Sequence, residues 1–282
     1  MTGEPGVLTL AGVPIGRVED APPRLREALG TSDVVAAEDT RRLQRLARDL
    51  SVVVAGRLVS YFEGNEAART TELVEALHTG ASVLLVTDAG MPGISDPGYR
   101  LVVAAAAAGI RVTAIPGPSA VTTALALSGL PSDRFCFEGF PPRRTSARRT
   151  AFQLLVSERR TIVFFESPQR LSASLADMAT VFGGDRSAVV CRELTKTYEE
   201  VRRGTLQELA EGAAAGVRGE VTVVLAGAPA STVDAAPDQL AAEVARREAS
   251  GEPRKQAITD VARDAGVAKR IVYDAVLAAR QT

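Results

Sequence analysis

The chain has 282 residues, 46% of them hydrophobic, with a formal net charge of −1. That is enough apolar material for a large core in more than one domain, and it excludes a polycation, so any nucleic-acid contact must come from a local patch. Two cysteines outside any CxxC pair and a single histidine, His78, argue against a zinc site and a histidine-based triad, and no run of about 18 apolar residues lacks charges or breakers.

The basic charge is nearly all arginine, with Lys196, Lys255 and Lys269 the only lysines. Arginine supplies planar donors suited to phosphate. Cys136 and Cys191 read as reduced core residues of a cytoplasmic protein, and no basic start followed by an apolar run marks a signal peptide. No metal is expected.

Val7 to Val13 reads as a strand that enters Gly12-Val13-Pro14-Ile15-Gly16, a turn allowing close backbone approach. It lacks the spaced three-glycine fingerprint of dinucleotide binding and the lysine of a phosphate loop. Pro22 to Leu29 reads as a helix started by proline and stopped by Gly30. Val34 to Ala37 is a second strand, ending in Glu38-Asp39-Thr40-Arg41-Arg42. Acids and arginines at a strand end are either a salt-bridged cap or part of a site. Ser60 to Glu66 is a polar loop before a helix from about Ala67 to Leu77, with His78 at its carboxyl end, where the helix dipole favours it.

Val83 to Val86 is apolar enough for a buried strand, and Leu101 to Ala108 reads as a helix. Between them lie Gly90, Pro92, Gly93, Pro97 and Gly98. Strand-to-helix loops ordinarily run ~2–6 residues, so this one is long for a plain turn. It falls at a strand's carboxyl end, where ligands collect in open α/β sheets. Val112 to Ile115 is the next strand, and Pro116-Gly117-Pro118-Ser119 leads to a helix from Pro118 to Leu127 with proline at its first position. The free N–H groups of that helix would face the same edge. Strand and helix alternate throughout, which predicts a parallel sheet covered on both faces.

After Gly129-Leu130-Pro131 the pattern changes. Phe135 to Phe137 is a strand, followed by a basic loop, Pro141 to Arg149, that leads into a helix. Seven arginines fall between positions 134 and 160, against Glu138 and Glu158. They form either a solvated loop or a phosphate-tracking patch, better at holding a backbone than at reading bases. Thr161 to Phe165 and Ala188 to Cys191 are strands, with a helix to about Phe182 between them. Thr205-Leu206-Gln207-Glu208 is a capping box, and Val221 to Ala226 is a last strand. A linker follows, then helices at about Asp238–Glu248, Arg254–Ala265 and Ala268–Ala279, the last two arranged like a helix-turn-helix pair.

The motifs resemble one family as a set: Pro14-Ile15-Gly16, Ala37-Glu38-Asp39-Thr40-Arg41, Ser60-Tyr61 with Asn65-Glu66, Asp88 to Tyr99, Pro116 to Ala120, Phe137 to Phe140, Glu166-Ser167-Pro168, Arg192 to Lys196, Arg203-Gly204-Thr205 and Gly219-Glu220. The chain resembles, over about residues 7 to 227, the bacterial methyltransferases that modify the 2′-hydroxyl of a cytidine in 16S ribosomal RNA. The resemblance implies an α/β tetrapyrrole-methylase-like fold, with a parallel-sheet N-terminal domain (1–117), a mixed-sheet second domain (118–228), a linker (229–237) and a helical C-terminal domain (238–282). It also implies S-adenosylmethionine as cofactor, a homodimer, and the small ribosomal subunit as partner. Carried over, the cofactor residues are Pro14, Asp88, Ala89, Gly90, Ile94, Ser95, Pro116, Ser119, Ala120, Phe165, Glu166, Glu220 and Val221.

For proton removal or charge stabilisation the candidates are Glu193, Lys196, Asp39 and Glu66, each polar and at a strand or loop end; the bland reading of each is a structural ion pair. Lys196 could act as a base only if desolvation lowered its pKa. Arg41, Arg143, Arg144, Arg148, Arg149 and Arg170 are the expected RNA contacts. Gly12 and Met91 stand where the family usually has Thr, Arg17 where it has Asn, and Phe62, Gly64 and Gln169 where it often has His, so no imidazole is expected near the cleft. Two other readings remain: a tetrapyrrole or other small-molecule methylase of the same fold, and a non-catalytic nucleic-acid-binding protein.

Overall fold

Short apolar runs that carry no polar alternation are buried on both faces when a parallel sheet is covered by helices. Val34–Ala37 and Val83–Val86 behave this way, buried at every position. The computed structural model describes residues 5–229 and 236–279. The chain forms two compact units: one from the residues up to Gln153 together with Thr161–Ala226, the other from Leu154–Arg160 together with the chain from Gly227 onward.

The first unit begins with β1 (Val7–Ala11), α1 (Pro23–Thr31), β2 (Val34–Ala37), α2 (Thr40–Asp49), β3 (Arg57–Ser60), α3 (Glu66–His78), β4 (Val83–Val86), α4 (Tyr99–Ala107) and β5 (Arg111–Ile115). The five strands are parallel in the order β3-β2-β4-β1-β5. From β1 the chain crosses β4 to reach β2, and from β4 it crosses β1 to reach β5. The loops after β1 and β4 therefore diverge, which opens a crevice at their carboxyl ends. Those loops are tied by a two-way bridge, Val13 N to Gly90 O at 2.9 Å and Gly90 N to Val13 O at 3.2 Å.

The chain then passes to a second sheet through α5 (Ala120–Ser128), β6 (Phe135–Phe137), α6 (Thr145–Gln153), β7 (Thr161–Glu166), α7 (Leu171–Phe182), β8 (Ser187–Arg192), β9 (Glu200–Thr205), α8 (Leu206–Gly212) and β10 (Val221–Leu225). Its order is β6-β7-β10-β8-β9; only β6 and β7 are parallel, so the sheet is mixed. Ile15 and Ala89, from the first sheet's loops, share one apolar cluster with Val121, Ala124 and Leu125 of α5 and with Val163, Val189, Cys191 and Val224 of the second sheet. The floor between the sheets is thus a common core. The boundary expected after residue 117 falls where the chain leaves the first sheet, inside this one unit.

Some local expectations change. Gly30 lies inside α1, which runs on to Thr31 and is capped at Ser32. Pro118 precedes the N-cap, Ser119, rather than occupying the first helical position. α2, β3 and β9 are absent from the sequence reading. The capping box at Thr205 is present in both arms, with Glu208 N donating to Thr205 Oγ1 at 3.2 Å and Thr205 N to Glu208 Oε2 at 2.8 Å.

The second unit contains α9 (Pro237–Ala249), α10 (Arg254–Ala265) and α11 (Lys269–Ala279), packed around Leu240, Val244, Ala257, Val261, Val272 and Val276. Most of the expected linker, residues 230–235, lies outside the described residues.

Candidate active site

A cleft of about 370 Å³ opens at the carboxyl ends of the first sheet and is closed by the second. One wall comes from the loops after β1, β2 and β4: Ile15, Glu38, Arg42, Asp88 to Met91 and Ile94 to Asp96. The other comes from the start of α5, from Phe140, from Phe165 to Pro168 after β7, and from Glu220 to Thr222 at the start of β10. The volume suits a drug-sized ligand, and the mixture of apolar walls with a few convergent polar groups is that of a small-molecule site.

The polar wall is acidic. Asp88 N donates to Glu38 Oε2 at 3.1 Å, Asp39 N donates to Asp88 Oδ1 at 3.2 Å, and Arg42 Nη1 lies 3.1 Å from Asp88 Oδ2. These bonds lock the end of β2 to the end of β4. Burial pushes the carboxyls of Glu38 and Asp88 above their usual range, with Arg42 opposing the shift at both. Asp96 is pushed furthest, to about 7, first by burial and then by the charges of Glu38, Asp88 and Glu220. No described side chain donates to its carboxylate. Ser95 beside it sits at φ 62, a left-handed conformation rare for a residue with a Cβ and often found where a loop is shaped around a ligand.

The opposite wall has an apolar face and a braced edge. Phe165 meets Phe137 edge-on at 4.8 Å between centroids and Phe140 at 5.5 Å. The Glu166 carboxylate is committed inside the fold: it accepts from Ser167 N at 2.7 Å, pairs with Arg170 Nη2 at 2.6 Å, and accepts from Ser174 Oγ. At the edge, Lys196 Nζ lies 2.8 Å from both Glu193 Oε1 and Glu220 Oε2, and Glu220 N donates to Glu193 Oε1 at 2.9 Å. Glu193 and Thr195 are both left-handed, at φ 51 and 62. Arg17 N and Nε donate to Thr195 Oγ1 and O, at 3.4 and 3.1 Å. A Cβ on Gly16 would run into Thr195 and Lys196, so glycine allows this close docking of the two loops.

The cofactor residues read from the sequence meet at this cleft, except two. Pro14 is replaced in the lining by its neighbour Ile15, and Pro116 faces a separate shallow groove with Pro22, Pro23 and Pro118. The four residues expected to carry proton chemistry are not among those lining the cleft. Asp39 is the N-cap of α2, accepting from Arg41 N at 2.8 Å and Arg42 N at 3.3 Å, and those bonds hold its carboxyl below the usual range. Glu66 accepts from Gly98 N at 3.1 Å and Tyr61 Oη at 3.2 Å and faces Arg100, so it supports the Asp88–Tyr99 loop from behind. Lys196 is raised above its ordinary pKa: burial opposes the charge, but its two carboxylate partners outweigh burial. Here it stands as a charged strut between two carboxylates.

Of the expected RNA contacts, Arg41, Arg143 and Arg144 are exposed. Arg148 is not available: it is 3% exposed and paired with Asp177 of α7 at 2.5 Å, because α6 packs on α7 through it. Arg149 is half-exposed and binds the other oxygen of Asp177 at 2.7 Å. Arg170 is tied to Glu166 and donates to Pro141 O at 3.3 Å, which holds the basic loop beside the cleft. Glu38, Arg42, Met91, Asp96, Phe140, Ser167, Pro168 and Thr222 also line the cleft, none of them among the expected cofactor residues. Asp96 and Glu38 had a signal, since both lie in strand-end loops already marked as ligand edges.

His78 ends α3, and Cys191 is a core thiol that burial pushes to about 11. Among the described residues no group of three or more His, Cys, Asp or Glu is placed to hold a metal ion, and no helix is long and apolar enough to cross a membrane.

Residues 7–210 match the family described as Tetrapyrrole (Corrin/Porphyrin) Methylases. Over 277 residues the chain is 54% identical to "Ribosomal RNA small subunit methyltransferase I" of Mycobacterium tuberculosis (strain ATCC 25618 / H37Rv), covering 98% of this chain and 96% of that one. It is 41% identical over 275 residues to the protein of the same name from Pseudomonas aeruginosa, covering 96% and 97%. The fold is similar to that of uroporphyrin-III-C-methyltransferase from Thermus thermophilus, with a TM-score of 0.56 at 20% identity over 78% of this chain and 94% of that one. A structure of Thermus thermophilus uroporphyrin-III C-methyl transferase complexed with S-adenosyl homocysteine aligns with a TM-score of 0.54 at 18% identity, over 78% and 97%.

Proposed function

Because the chain belongs to the tetrapyrrole (corrin/porphyrin) methylase family, and within it to the ribosomal RNA small subunit methyltransferase I proteins, we propose that it methylates the 2′-hydroxyl of a cytidine in 16S ribosomal RNA. The observation that carries the reading is identity of 54% along nearly the whole chain to a protein named for that RNA. The methyl donor is S-adenosylmethionine, and the cleft fits it. The donor is cationic at its sulfonium, and Glu38, Asp88, Asp96 and Glu220 make the cleft anionic. Its flat adenine suits the apolar Phe140 and Phe165 side.

Bound there, the donor would supply an electrophilic methyl group. The protein's own residues do the rest. The Asp88–Asp96 loop and the start of α5 line the cleft from two sides. Glu166 and Arg170 fix one edge, and Glu193 with Lys196 fixes Glu220 at the other. Positioning of a ribose oxygen in line with the methyl group can account for much of the rate. In this reading RNA phosphates are held by Arg143 and Arg144, a role supported by their exposure on the loop that Arg170 anchors through Pro141 O. Glu193, Lys196, Asp39 and Glu66 act as positioning residues in this account. The enzyme works in the cytoplasm, on folded RNA whose target nucleotide is splayed out, and as a homodimer.

Small ribosomal subunits lacking their own modification, incubated with methyl-labelled S-adenosylmethionine and the protein, test the chemistry. A 2′-O-methyl group blocks alkaline cleavage at its own phosphodiester, so label is expected in an alkali-resistant dinucleotide. Label released only in single nucleotides would mean a base methylase. Absence of label despite measured donor binding would favour the small-molecule methylase.

A further inference from the structure

The second unit carries a groove that methyl transfer does not use. α10 and α11 are joined by Gly266-Val267-Ala268, and their first turns open onto a groove of about 660 Å³. It is lined almost wholly by carbon, from Ile258, the Tyr273 ring and the aliphatic stems of Arg254, Lys255, Lys269 and Arg270, so four cationic residues and no acid border an apolar groove. Two of the chain's three lysines are here. Among the described residues, neither Lys255 nor Lys269 has a carboxylate within ion-pair distance. Arg254 and Arg270 reach Glu248 and Asp274 only at 4.0 and 3.8 Å. On the neighbouring α9, Arg246 and Arg247 grip Glu243 at 2.6 and 2.8 Å, so arginine pairing in this unit is otherwise close.

The placement is unfavourable for folding alone. Helix N-termini carry partial positive charge, and neither α10 nor α11 has an acid in its first turn. Both begin instead with two cations, Arg254-Lys255 and Lys269-Arg270. A polyanion reverses the sign of every one of these terms. Tyr273 and Ile271, about half-exposed at 51% and 46%, add apolar surface beside the charge. An aromatic ring beside cations is the combination that holds an unstacked base and its backbone together.

We infer that this groove is a second RNA contact: Arg254, Lys255, Lys269 and Arg270 grip the sugar–phosphate backbone of the ribosomal RNA, and Tyr273 receives an unpaired base. The inference rests on the ribosomal RNA reading above. It places binding energy for the substrate in a unit that holds no part of the cleft's lining.

The test uses the full chain carrying Lys255→Glu, Lys269→Glu and Arg270→Glu together, and unmodified small ribosomal subunits. Affinity is measured from about 50 to about 200 mM salt. The expected result is roughly tenfold weaker binding, a salt dependence shallower by about 2 in log–log slope, and an unchanged Kd for S-adenosylmethionine. The melting temperature should stay level or rise, since repulsion at two helix N-termini is removed. Tyr273→Ala should weaken binding without changing the salt slope, and Tyr273→Phe should restore it. Unaltered subunit affinity and slope in the triple variant, with the wild type methylating normally, overturns the groove and leaves the proposed function standing. Tighter binding of duplex DNA than of subunits through these residues overturns the RNA assignment. Failure of the wild type to bind or methylate subunits at all overturns both.

Discussion

Gly12 and Met91 lie against each other beside the Gly117 backbone. A Cβ on Gly12 would lie 2.8 Å from Met91 Sδ and 2.6 Å from Gly117 Cα. The bulk absent at position 12 is filled by sulfur from position 91. Gly12→Thr is therefore expected to destabilise the fold by about 1–3 kcal/mol through overpacking. Adding Met91→Thr should recover part of the loss, because the sulfur is removed but the Gly117 backbone is not. A double-mutant cycle by urea unfolding should give a coupling of at least about 0.5 kcal/mol, and strict additivity would contradict the pairing. Individual roles are harder to read from the chain than this. Asp39 and Glu38 are adjacent acids at one strand end, yet Asp39 caps a helix whereas Glu38 faces the cleft. Sequence shows the pair but not which way each side chain turns. The same holds for Arg148 and Arg149, neighbours of which one is buried on Asp177 and the other half-exposed.

Among the elements, every central strand is announced by the sequence, and the edge strands β5 and β6 are announced with them. β2, β4, β7, β8 and β10 are apolar runs covered on both faces or at the middle of a sheet. The two that it hides, β3 and β9, are sheet edges, written Arg-Leu-Val-Ser and Glu-Val-Arg-Arg-Gly-Thr. Charged edge strands avoid pairing with other chains, and the same charges erase the hydrophobic signal. α2 is hidden for a related reason: its buried residues are only Leu43 and Ala47. α6 and α7 are joined by the buried Arg148–Asp177 pair, so Asp177→Ala should cost about 3–5 kcal/mol by leaving a buried guanidinium unpaired. Arg143→Glu with Arg144→Glu on the loop before α6 should leave thermal stability unchanged while weakening subunit binding in a salt-dependent way. Loss of stability there, with RNA affinity intact, would mean that the loop is structural. At the β8–β9 turn, Lys196→Ala should free Glu220 at the cleft edge. A raised KM for the donor with a smaller change in kcat is the expected pattern.

At the scale of the molecule, the crevice follows from strand order: loops that diverge after β1 and β4 leave a gap, and the second sheet closes it. The glycine- and proline-rich Asp88–Tyr99 loop announces the site because so many backbone-shaping residues in one connection serve no ordinary turn. The acidity of the cleft is not legible in a net charge of −1, since it depends on residues from β2, β4 and β10 converging. That acidity has a definite pH consequence. Burial, with the charges of Glu38, Asp88 and Glu220, pushes the Asp96 carboxyl up to about 7, which favours the protonated form below that pH. A cationic ligand favours the ionised carboxylate, so binding must displace that proton below pH 7 and need not do so above it.

Calorimetric titration of S-adenosylmethionine into wild type and Asp96→Asn, at about pH 6 and about pH 7.5, tests the cofactor cleft most directly. Wild-type affinity should rise roughly five- to tenfold across that interval, as a carboxyl of pKa about 7 ionises, and the Asn variant should bind more weakly at the higher pH with little pH dependence. Equal affinities and parallel pH profiles in the two proteins, or no binding by the wild type, would contradict the account.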